Sequence, residues 1–275
     1  AEYEALTISN MDNIKGNITL PSAGKYGTPI TWTSSNHEVI NPQADGTKPA
    51  GVVTRQATDT KVTLTASIGG KEKKFEVTVK AAANVDKMTD YVFAYFIGNN
   101  PGEEEIYLAT SQNGLDWEEL NKGEPVLKSE MGTTGLRDPF ILRSPEGDKF
   151  YLVATDLRIC TDWDWGAAQT NGSQAIMVWE SDDLVHWTDQ RVVTISAQIE
   201  AGCTWAPEVF YDDTTGEYMV FWSSKVKTDN YSKQRQYYCK TRDFYTFTEP
   251  QLWIDESHST IDSTVVRDDD GTYYR

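Results

Sequence analysis

The stretch "RDPFILRSPEGDKFYLVAT", residues 137–155, is followed along the chain by two related stretches. These are "APEVFYDDTTGEYMVFWSS" at 206–224 and "DSTVVRDDDGTYYR" at 262–275. Each contains an acidic residue, an apolar run that is typical of a β-strand, an acidic turn that includes glycine, and an aromatic-rich strand. Recurrence of one unit predicts a repeat architecture, in which similar antiparallel sheets follow one another along the chain.

A second element recurs between these stretches, and it consists of a strand end, a turn and an aromatic residue that we expect to pack beneath the turn. Its copies are "SQNGLDW" at 111–117, "SDDLVHW" at 181–187 and "TRDFYTF" at 241–247, with Trp117, Trp187 and Phe247 at equivalent positions. Units of about four strands with long connections are typical of propeller blades. No stretch has helical periodicity, so we predict an all-β fold.

The innermost strand of a propeller blade lines the central channel. We interpret Asp138, Glu208 and Asp262 as equivalent residues, so their carboxylates are expected to meet at one mouth of the channel. Like charges at close range raise one another's pKa, and hydrolysis of a glycosidic bond requires a clustered acid and base. A single aspartate here would more simply cap a turn, but three acids at matching places favour a functional site.

Residues 1–80 have a separate pattern of short strands with alternating polarity. The predicted strands are "NITL" (17–20), "PITWTSS" (29–35), "GVVTR" (51–55), "KVTLTASI" (61–68) and "KKFEVTVK" (73–80). Gly69 and Gly70 predict a tight hairpin turn. The predicted core residues are Trp32, Val62, Leu64, Ala66 and Ile68. This pattern predicts an immunoglobulin-like sandwich, which the linker 81–87 connects to the propeller at 88–275.

The two ends of the propeller pattern are unequal. Residues 91–127 lack the acidic strand, and a blade that closes a ring often borrows a strand from the other terminus. The last repeat stops at Arg275, inside a predicted hairpin. We therefore interpret the chain as a fragment that contains an incomplete propeller.

Composition excludes several functional classes. A net charge of −17 and a pI of about 4.5 oppose binding to nucleic acids or anionic membranes. No run of 18 apolar residues predicts a membrane span, and the first ten residues lack the features of a signal peptide. Neither the three cysteines nor the three histidines have the spacing of a metal site. The cysteines are Cys160, Cys203 and Cys239, whose disulfide state the spacing leaves open.

The stretches at 135–157, 203–222 and 261–274 resemble glycoside hydrolase family 43. This resemblance implies a five-bladed propeller that acts on polysaccharides containing arabinose or xylose, as an α-L-arabinofuranosidase or a β-xylosidase. The N-terminal residues are similar to the bacterial immunoglobulin-like modules that are often fused to such enzymes. The resemblance also implies a bacterial protein that is secreted, periplasmic or on the cell surface, with a carbohydrate as its partner and an unknown oligomeric state.

The resemblance implies roles for individual residues in an inverting mechanism. Asp138, in "RDP", matches the general base, and Asp262, in "IDSTVVRDDDG", matches the residue that modulates the pKa of the acid. The general acid of the family follows about one blade later, which is beyond Arg275. Trp205 and Glu208 match residues that line the substrate pocket. Some family members hold a calcium ion near a channel histidine, but this sequence shows no such site, and we expect no cofactor.

Three alternatives remain open. In related five-bladed enzymes that cleave fructans, Asp138 would be a transition-state stabiliser and Glu208 the acid, with a nucleophile in the first unit. Only Asp86 and Asp90 are candidates for that nucleophile, and neither precedes a proline. A propeller that binds carbohydrate without hydrolysing it would also use the tryptophans. A structural adhesion module would leave the propeller motifs unexplained.

Other residues near the predicted mouth have two interpretations each. Trp163 and Trp165 lie in the polar stretch 161–173, where they either form a platform for a sugar ring or pack in the core. Arg137 either keeps a carboxylate ionised and contacts the substrate or lies on the surface. Asp156 is expected to cap a strand.

Overall fold

Over residues 2–85 and 88–275, which the computed structural model describes, the chain forms eighteen β-strands and two short α-helices. Part of the predicted linker, residues 86 and 87, lies outside the described residues. Asp86, one of the two aspartates considered as a nucleophile, is therefore not placed. The longest α-helix in the described ranges has 6 residues, so none of them is long enough to cross a membrane.

The N-terminal unit contains one three-stranded sheet and one short pair of strands. Its elements are α1 (Glu2–Ala5), β1 (Ile30–Ser34), β2 (Ile40–Asn41), β3 (Val52–Val53), β4 (Thr60–Ile68) and β5 (Lys71–Val79). The sheet order is β1-β4-β5, and β2 pairs with β3. All five predicted core residues are buried, because the alternation of β1 and β4 directs them to the same side. Gly69 and Gly70 both have positive φ, which confirms the predicted hairpin turn.

One predicted strand of this unit does not form. The segment "NITL" (17–20) is not assigned to any sheet. Ile18 donates its backbone N–H to Gly51 O at 3.0 Å, but the segment does not continue as a ladder of paired residues. The apolar residues Ile18 and Leu20 are nevertheless buried. The pattern therefore predicted the burial correctly and the strand wrongly.

The remaining residues form four consecutive antiparallel sheets, which we name blades I to IV. Blade I contains β6 (Tyr91–Tyr95), β7 (Tyr107–Ser111) and β8 (Glu118–Glu119). Blade II contains β9 (Leu136–Arg143), β10 (Phe150–Asp156), β11 (Ala175–Ser181) and β12 (Arg191–Thr194), with α2 (Trp165–Thr170) between β10 and β11. Blade III contains β13 (Trp205–Asp212), β14 (Glu217–Ser224), β15 (Arg235–Thr241) and β16 (Gln251–Ile254), and blade IV contains β17 (Val266–Arg267) and β18 (Tyr273–Tyr274).

The repeated turn at the ends of β7, β11 and β15 has the same hydrogen bonds in all three blades. In blade II, the Ser181 hydroxyl accepts from the backbone N–H groups of Asp183 and Leu184, and Asp183 Oδ1 accepts from those of Val185 and His186. Trp187 then bridges back to Ser181, as Phe247 does to Thr241 in blade III. These are Asx and Ser/Thr turns, which explain why the motif begins with Ser or Thr and continues with Asn or Asp.

The turn also shows which strand blade I lacks. Because β7 ends in this turn, it corresponds to β11 and β15, the third strands of blades II and III. Its partner β6 therefore corresponds to the second strands, β10 and β14. Blade I has no counterpart of β9 in the part of the chain that the structure describes. This arrangement agrees with the missing acidic strand that the sequence predicted for residues 91–127.

The blades have two faces. The strands β9 and β13 begin at one face, which we call the mouth face and which carries Asp138 and Trp205. The repeated turns lie at the other end of the strands, which we call the turn face. The core between blades II and III includes Tyr151 and Phe244, whose rings stack with centroids 4.2 Å apart.

The N-terminal unit packs against the turn face of blades II and III. Arg55 makes two hydrogen bonds of 2.8 Å to the two carboxylate oxygens of Asp148, between β9 and β10. Lys15 forms an ion pair of 2.7 Å with Asp182. Arg242, which follows β15 in blade III, donates to Ile18 O of the N-terminal unit at 3.0 Å. The immunoglobulin-like unit therefore lies on the side of the blades that is opposite to the mouth face.

Candidate active site

Asp138 lies at the start of β9, in a strained and partly buried position. Its φ is 47°, in the left-handed region that aspartate tolerates better than most residues. The pairing of β9 with β10 shifts register between Val153 and Thr155, so a bulge forms where Asp138 and Pro139 lie. The bulge turns the Asp138 carboxylate toward Thr155, whose hydroxyl donates to Oδ2 at 2.8 Å.

Burial raises the pKa of Asp138 above its ordinary value, because the surroundings disfavour the charged form. Hydrogen bonding from Thr155 and the positive charge of Arg137 act in the opposite direction, whereas the negative charge of Asp262 raises the pKa further. The result is a carboxyl group whose pKa is raised and whose orientation is fixed by the hydrogen bond from Thr155.

The repeat is aligned differently from the sequence prediction. Positive φ recurs at Asp138 (47°), Ala206 (49°) and Asp262 (59°), and in blade III the register shift falls between Trp205 and Glu208. The residue equivalent to Asp138 in blade III is therefore Ala206, and Glu208 lies two residues further along β13. The prediction that Glu208 is equivalent to the two aspartates was wrong, because backbone conformation and not side-chain charge defines the repeat.

The structure nevertheless brings Asp262 near enough to both Asp138 and Glu208 for its charge to act on each of them. Burial raises the pKa of Glu208, and the charge of Asp262 adds to this increase, while a hydrogen bond with Thr264 opposes it. Asp262 also raises the pKa of Asp138. Asp262 itself is exposed. An exposed carboxylate that acts on two partly buried ones can hold the local potential negative and so make each of the other two harder to ionise.

Arg137 is fixed by groups from blade I and does not lie freely on the surface. Its Nη1 donates to Asn99 Oδ1 at 2.6 Å and to Glu104 Oε1 at 3.1 Å. The guanidinium carbon lies 4.5 Å from the centroid of the Phe96 ring and 5.5 Å from that of the Trp165 ring. These contacts are charge-assisted hydrogen bonds and cation–π interactions, which hold the arginine beside Asp138.

Two of the three predicted tryptophans form one wall of the site. Trp165 and Trp205 meet edge to face, with centroids 6.2 Å apart, and Trp165 is 38% exposed. Trp163 is 49% exposed, in a left-handed turn just before α2. No stretch was predicted to be helical, but 161–173 contains the short helix α2, which Asp164 caps by accepting from the N–H of Ala167 at 2.9 Å. One turn and a half is too short to produce a recognisable helical period.

Two other aspartates considered in the sequence have contacts of their own. Asp156 is buried and accepts from the backbone N–H and the hydroxyl of Thr133, each at 2.8 Å, so it holds the loop before β9. Asp90 lines a surface pocket with Ser111 and Trp117, at the turn face. It therefore lies at the opposite end of the blade from the position that the nucleophile of the fructan-cleaving alternative requires.

The three histidines do not belong to a metal-binding group within the described residues. His186 pairs with Asp183 at 2.7 Å in the repeated turn, on the turn face. His37 lies in the N-terminal unit, and His258 is exposed. No group of three His, Cys, Asp or Glu side chains within residues 2–85 and 88–275 could hold a metal ion.

Sequence reasoning missed three residues that organise the site. Glu104 and Asn99 lie in the connection between β6 and β7 and bind Arg137. Thr155 binds Asp138. The only signal for Thr155 was its place at the end of a strand opposite the repeated acid. Glu104 is one of three consecutive glutamates, and nothing in the sequence distinguishes it from its neighbours.

Residues 86–275 match a family that is related to glycosyl hydrolase family 43 and described as "Probable glycosyl hydrolase domain". Residues 1–82 match a second family, described as "Atrophied bacterial Ig domain". The short pair β2–β3, with 2 residues in each strand, agrees with a reduced immunoglobulin-like sheet.

A curated relative and a solved structure provide further comparisons. An α-L-arabinofuranosidase from Bifidobacterium longum subsp. longum is 38% identical over 300 aligned positions, which include 94% of this chain. The chain spans 28% of the length of that relative. The crystal structure of an endo-arabinase from Bacteroides thetaiotaomicron aligns with a TM-score of 0.51 and 14% identity, over 78% of this chain and 79% of that one. At this identity the likeness shows the propeller fold alone.

Proposed function

The chain belongs to the family of glycosyl hydrolases related to family 43, and from this premise we propose that it carries the catalytic base of an inverting glycosidase. Asp138 is the general base and Asp262 the modulating carboxylate. The wall of Trp165 and Trp205 binds the sugar, and Glu208 and Trp163 contribute further contacts to it. The observation that supports this proposal most directly is the grouping of Asp138, Glu208 and Asp262, since Asp262 raises the pKa of both other acids.

In this mechanism the ionised Asp138 accepts a proton from a water molecule that attacks the anomeric carbon. A second carboxyl group gives a proton to the leaving oxygen, and inversion requires about 6.5–9.5 Å between the two groups so that water fits between them. Asp262 keeps the local potential negative, which favours the protonated form of a neighbouring acid. Arg137 supports Asp138 from the blade I side, because Glu104 and Asn99 hold its guanidinium. No cofactor is needed for these steps.

For the substrate we propose oligosaccharides or polysaccharides that contain arabinose or xylose. The name of the relative from Bifidobacterium longum supports the arabinofuranoside side of this choice. The tryptophan wall supports it chemically, since the apolar face of a sugar ring stacks on an indole. We also propose the division into an immunoglobulin-like domain at 1–80, a linker at 81–87 and a propeller domain at 88–275. Because polysaccharides are too large to enter a cell, we propose an extracellular, periplasmic or cell-surface location.

The test is hydrolysis of aryl α-L-arabinofuranosides and aryl β-xylosides by the full-length protein. We expect release of the aryl group, and NMR of the first product should show an inverted anomeric centre. Asp138→Asn should lower kcat by about 10²–10⁴-fold, which is the contribution of general-base catalysis. Near-normal turnover by Asp138→Asn would overturn the assignment of the base.

Asp90→Asn is the matched control, and it also tests the fructan-cleaving alternative. Asp90 is exposed at the turn face, so we expect unchanged rates. Loss of activity in Asp90→Asn, together with retention of the anomeric configuration in the product of the wild-type protein, would favour the alternative mechanism. Binding of arabino- or xylo-oligosaccharides without hydrolysis would instead identify a carbohydrate-binding propeller.

A further inference from the structure

Thr155 connects the Asp138 carboxylate to the neighbouring blade through one buried hydroxyl group. Its Oγ1 donates to Asp138 Oδ2 at 2.8 Å and accepts from the backbone N–H of Ala206, also at 2.8 Å. Thr155 is completely buried. We infer that Thr155 is a positioning residue, which fixes the orientation of the Asp138 carboxylate without touching the substrate. This inference rests on the proposed role of Asp138 as general base.

The direction of both hydrogen bonds follows from elementary chemistry. A backbone N–H can only donate, so Thr155 Oγ1 must accept from Ala206. A hydroxyl group has one proton, and that proton is therefore left for Asp138 Oδ2. Since no other rotation of the hydroxyl satisfies both partners, the Ala206 N–H sets the direction of the bond to the carboxylate. Thr155 thus always presents a donor, which an ionised carboxylate accepts most strongly.

The bulges of both blades create this contact. In blade II, Thr155 pairs with Arg137 just beyond the register shift, so Asp138 is free to turn toward it. In blade III, Ala206 has a φ of 49°, an unfavourable conformation for alanine. This residue takes the place of Asp138 in the repeat, but it provides a backbone N–H and no carboxylate. Blade III therefore contributes a hydrogen bond to the site of blade II.

The charges around Asp138 come from two elements. Arg137, on β9 itself, stabilises the ionised form, and Asp262, from blade IV, opposes it. The Thr155 hydroxyl from β10 lowers the pKa of Asp138 against the effect of burial, and the Ala206 N–H from β13, which donates to Thr155 Oγ1 at 2.8 Å, acts in the same direction. Removal of the hydroxyl must therefore raise this pKa. A base is active only when it is ionised, so the acidic limb of the pH–rate profile must move to higher pH.

The experiment compares three substitutions in the full-length protein: Thr155→Val, Thr155→Cys and Thr155→Ser. Valine keeps the shape and removes the hydroxyl, cysteine provides only a weak donor, and serine keeps the hydroxyl. In Thr155→Val we expect kcat to fall about 10-fold to 100-fold, which is the range for a hydrogen bond to a charged group. The acidic limb of kcat/KM should move to higher pH, and KM should change little because Thr155 does not touch the substrate.

Thr155→Ser should restore most of the rate and the position of the acidic limb. Thr155→Cys should give the same shift as valine in a weaker form, and it provides the test if Thr155→Val does not fold. An unmoved acidic limb in the folded valine or cysteine variant would overturn the inference. An equal loss in Thr155→Ser would overturn it too, because the hydroxyl would then not be the group that matters.

This inference and the proposed function fail in different ways. If Asp138→Asn keeps near-normal turnover, the assignment of the base is wrong and the role of Thr155 falls with it. If Asp138→Asn is inactive while Thr155→Val has the kcat and pH profile of the wild type, only the role of Thr155 is wrong.

Discussion

Glu104 Oε1 accepts a hydrogen bond from the Arg137 guanidinium at 3.1 Å, and this contact joins blade I to the residue before the proposed base. Glu104 also accepts from the backbone N–H groups of Ile159 at 2.8 Å and Cys160 at 3.2 Å. Its side chain is 4% exposed. A buried carboxylate that is satisfied by three donors, one of them charged, is a favourable arrangement, but it becomes unfavourable when one partner is lost.

Glu104→Gln should lower the free energy of unfolding by about 3 kcal/mol, since it leaves the Arg137 charge buried without its partner. An amide has only one acceptor oxygen, so its NH₂ group must face a donor at Ile159, Cys160 or Arg137. Urea unfolding followed by tryptophan fluorescence measures the change. The matched control is Glu105→Gln, whose partner Lys128 is 63% exposed at 3.3 Å, and there we expect less than about 1 kcal/mol. Equal losses in the two variants would contradict this account of Glu104.

Asp138→Asn should stabilise the protein near pH 7 while it removes activity. Burial raises the pKa of Asp138, so the folded state binds the proton more tightly than the unfolded chain does. Stability attributable to this group therefore falls as the pH rises from the unfolded value of about 3.9 through the raised folded value. Asparagine carries no charge at any pH, and its carbonyl oxygen can still accept from Thr155.

The measurement is urea unfolding of wild type and Asp138→Asn at several pH values. At pH 7 we expect the variant to be more stable by on the order of 1 kcal/mol, and the difference should vanish below about pH 3.9, where wild-type Asp138 is protonated in both states. Asp90→Asn, at an exposed position, should change stability by no more than about 0.5 kcal/mol. A variant less stable than the wild type at pH 7 would contradict this prediction, because it would show that hydrogen bonds and nearby charges fully compensate the burial of the Asp138 carboxylate.

The fold could be predicted from the sequence because its signals are local. Alternating polarity, the glycine turn at Gly69 and Gly70, and the Ser/Thr–Asx turns each depend on residues that are close in the chain. The residue of blade III that is equivalent to Asp138 could not be predicted in the same way. It depends on where the bulge falls: Ala206 preserves the left-handed φ of Asp138 and is followed by Pro207 as Asp138 is by Pro139, but it does not preserve the carboxylate that the sequence prediction matched.

The site was predicted only as far as its motifs extend. Asp138 and Asp262 stand in recognisable motifs, and the structure brings them into electrostatic contact. Glu104 becomes important through contacts with residues more than 30 positions away, which no local pattern encodes. The contact between the N-terminal unit and blade III could not be predicted for the same reason, since Arg242 donates hydrogen bonds to carbonyl groups more than 190 positions away along the chain.

Arg242→Met should weaken the contact between the N-terminal unit and blade III. Arg242 is 4% exposed and donates to Ile18 O at 3.0 Å, Ala50 O at 2.5 Å and Gly216 O at 3.3 Å. Methionine fills a similar volume but removes the donor of Ile18 O and Ala50 O, whereas Gly216 O keeps its hydrogen bond from Asn17 Nδ2 at 3.0 Å. Each unsatisfied buried group costs about 1–3 kcal/mol. We expect a Tm decrease of several degrees in scanning calorimetry and faster proteolysis near residues 81–87. Arg267→Met is the control, because Arg267 and its partner Asp213 are each 50% exposed. A Tm as high as that of the wild type in Arg242→Met would contradict a structural role for this contact.

Gly51→Ala, a substitution in the N-terminal unit, should weaken the same contact between this unit and blade III. Gly51 has a φ of +96°, and a Cβ atom there would lie 2.2 Å from Ile18 O, far inside van der Waals contact. Ile18 O is also the acceptor for Arg242, so the backbone cannot move away without loss of that hydrogen bond. We expect the free energy of unfolding to fall by more than about 2 kcal/mol, since backbone strain and a displaced hydrogen bond add together.

The matched control is Gly46→Ala, with φ +58° and no atom within 4 Å of the added Cβ, where strain alone should cost about 1 kcal/mol. Urea unfolding of both variants separates the two contributions, and equal losses would mean that the close approach of Gly51 to Ile18 has no energetic weight.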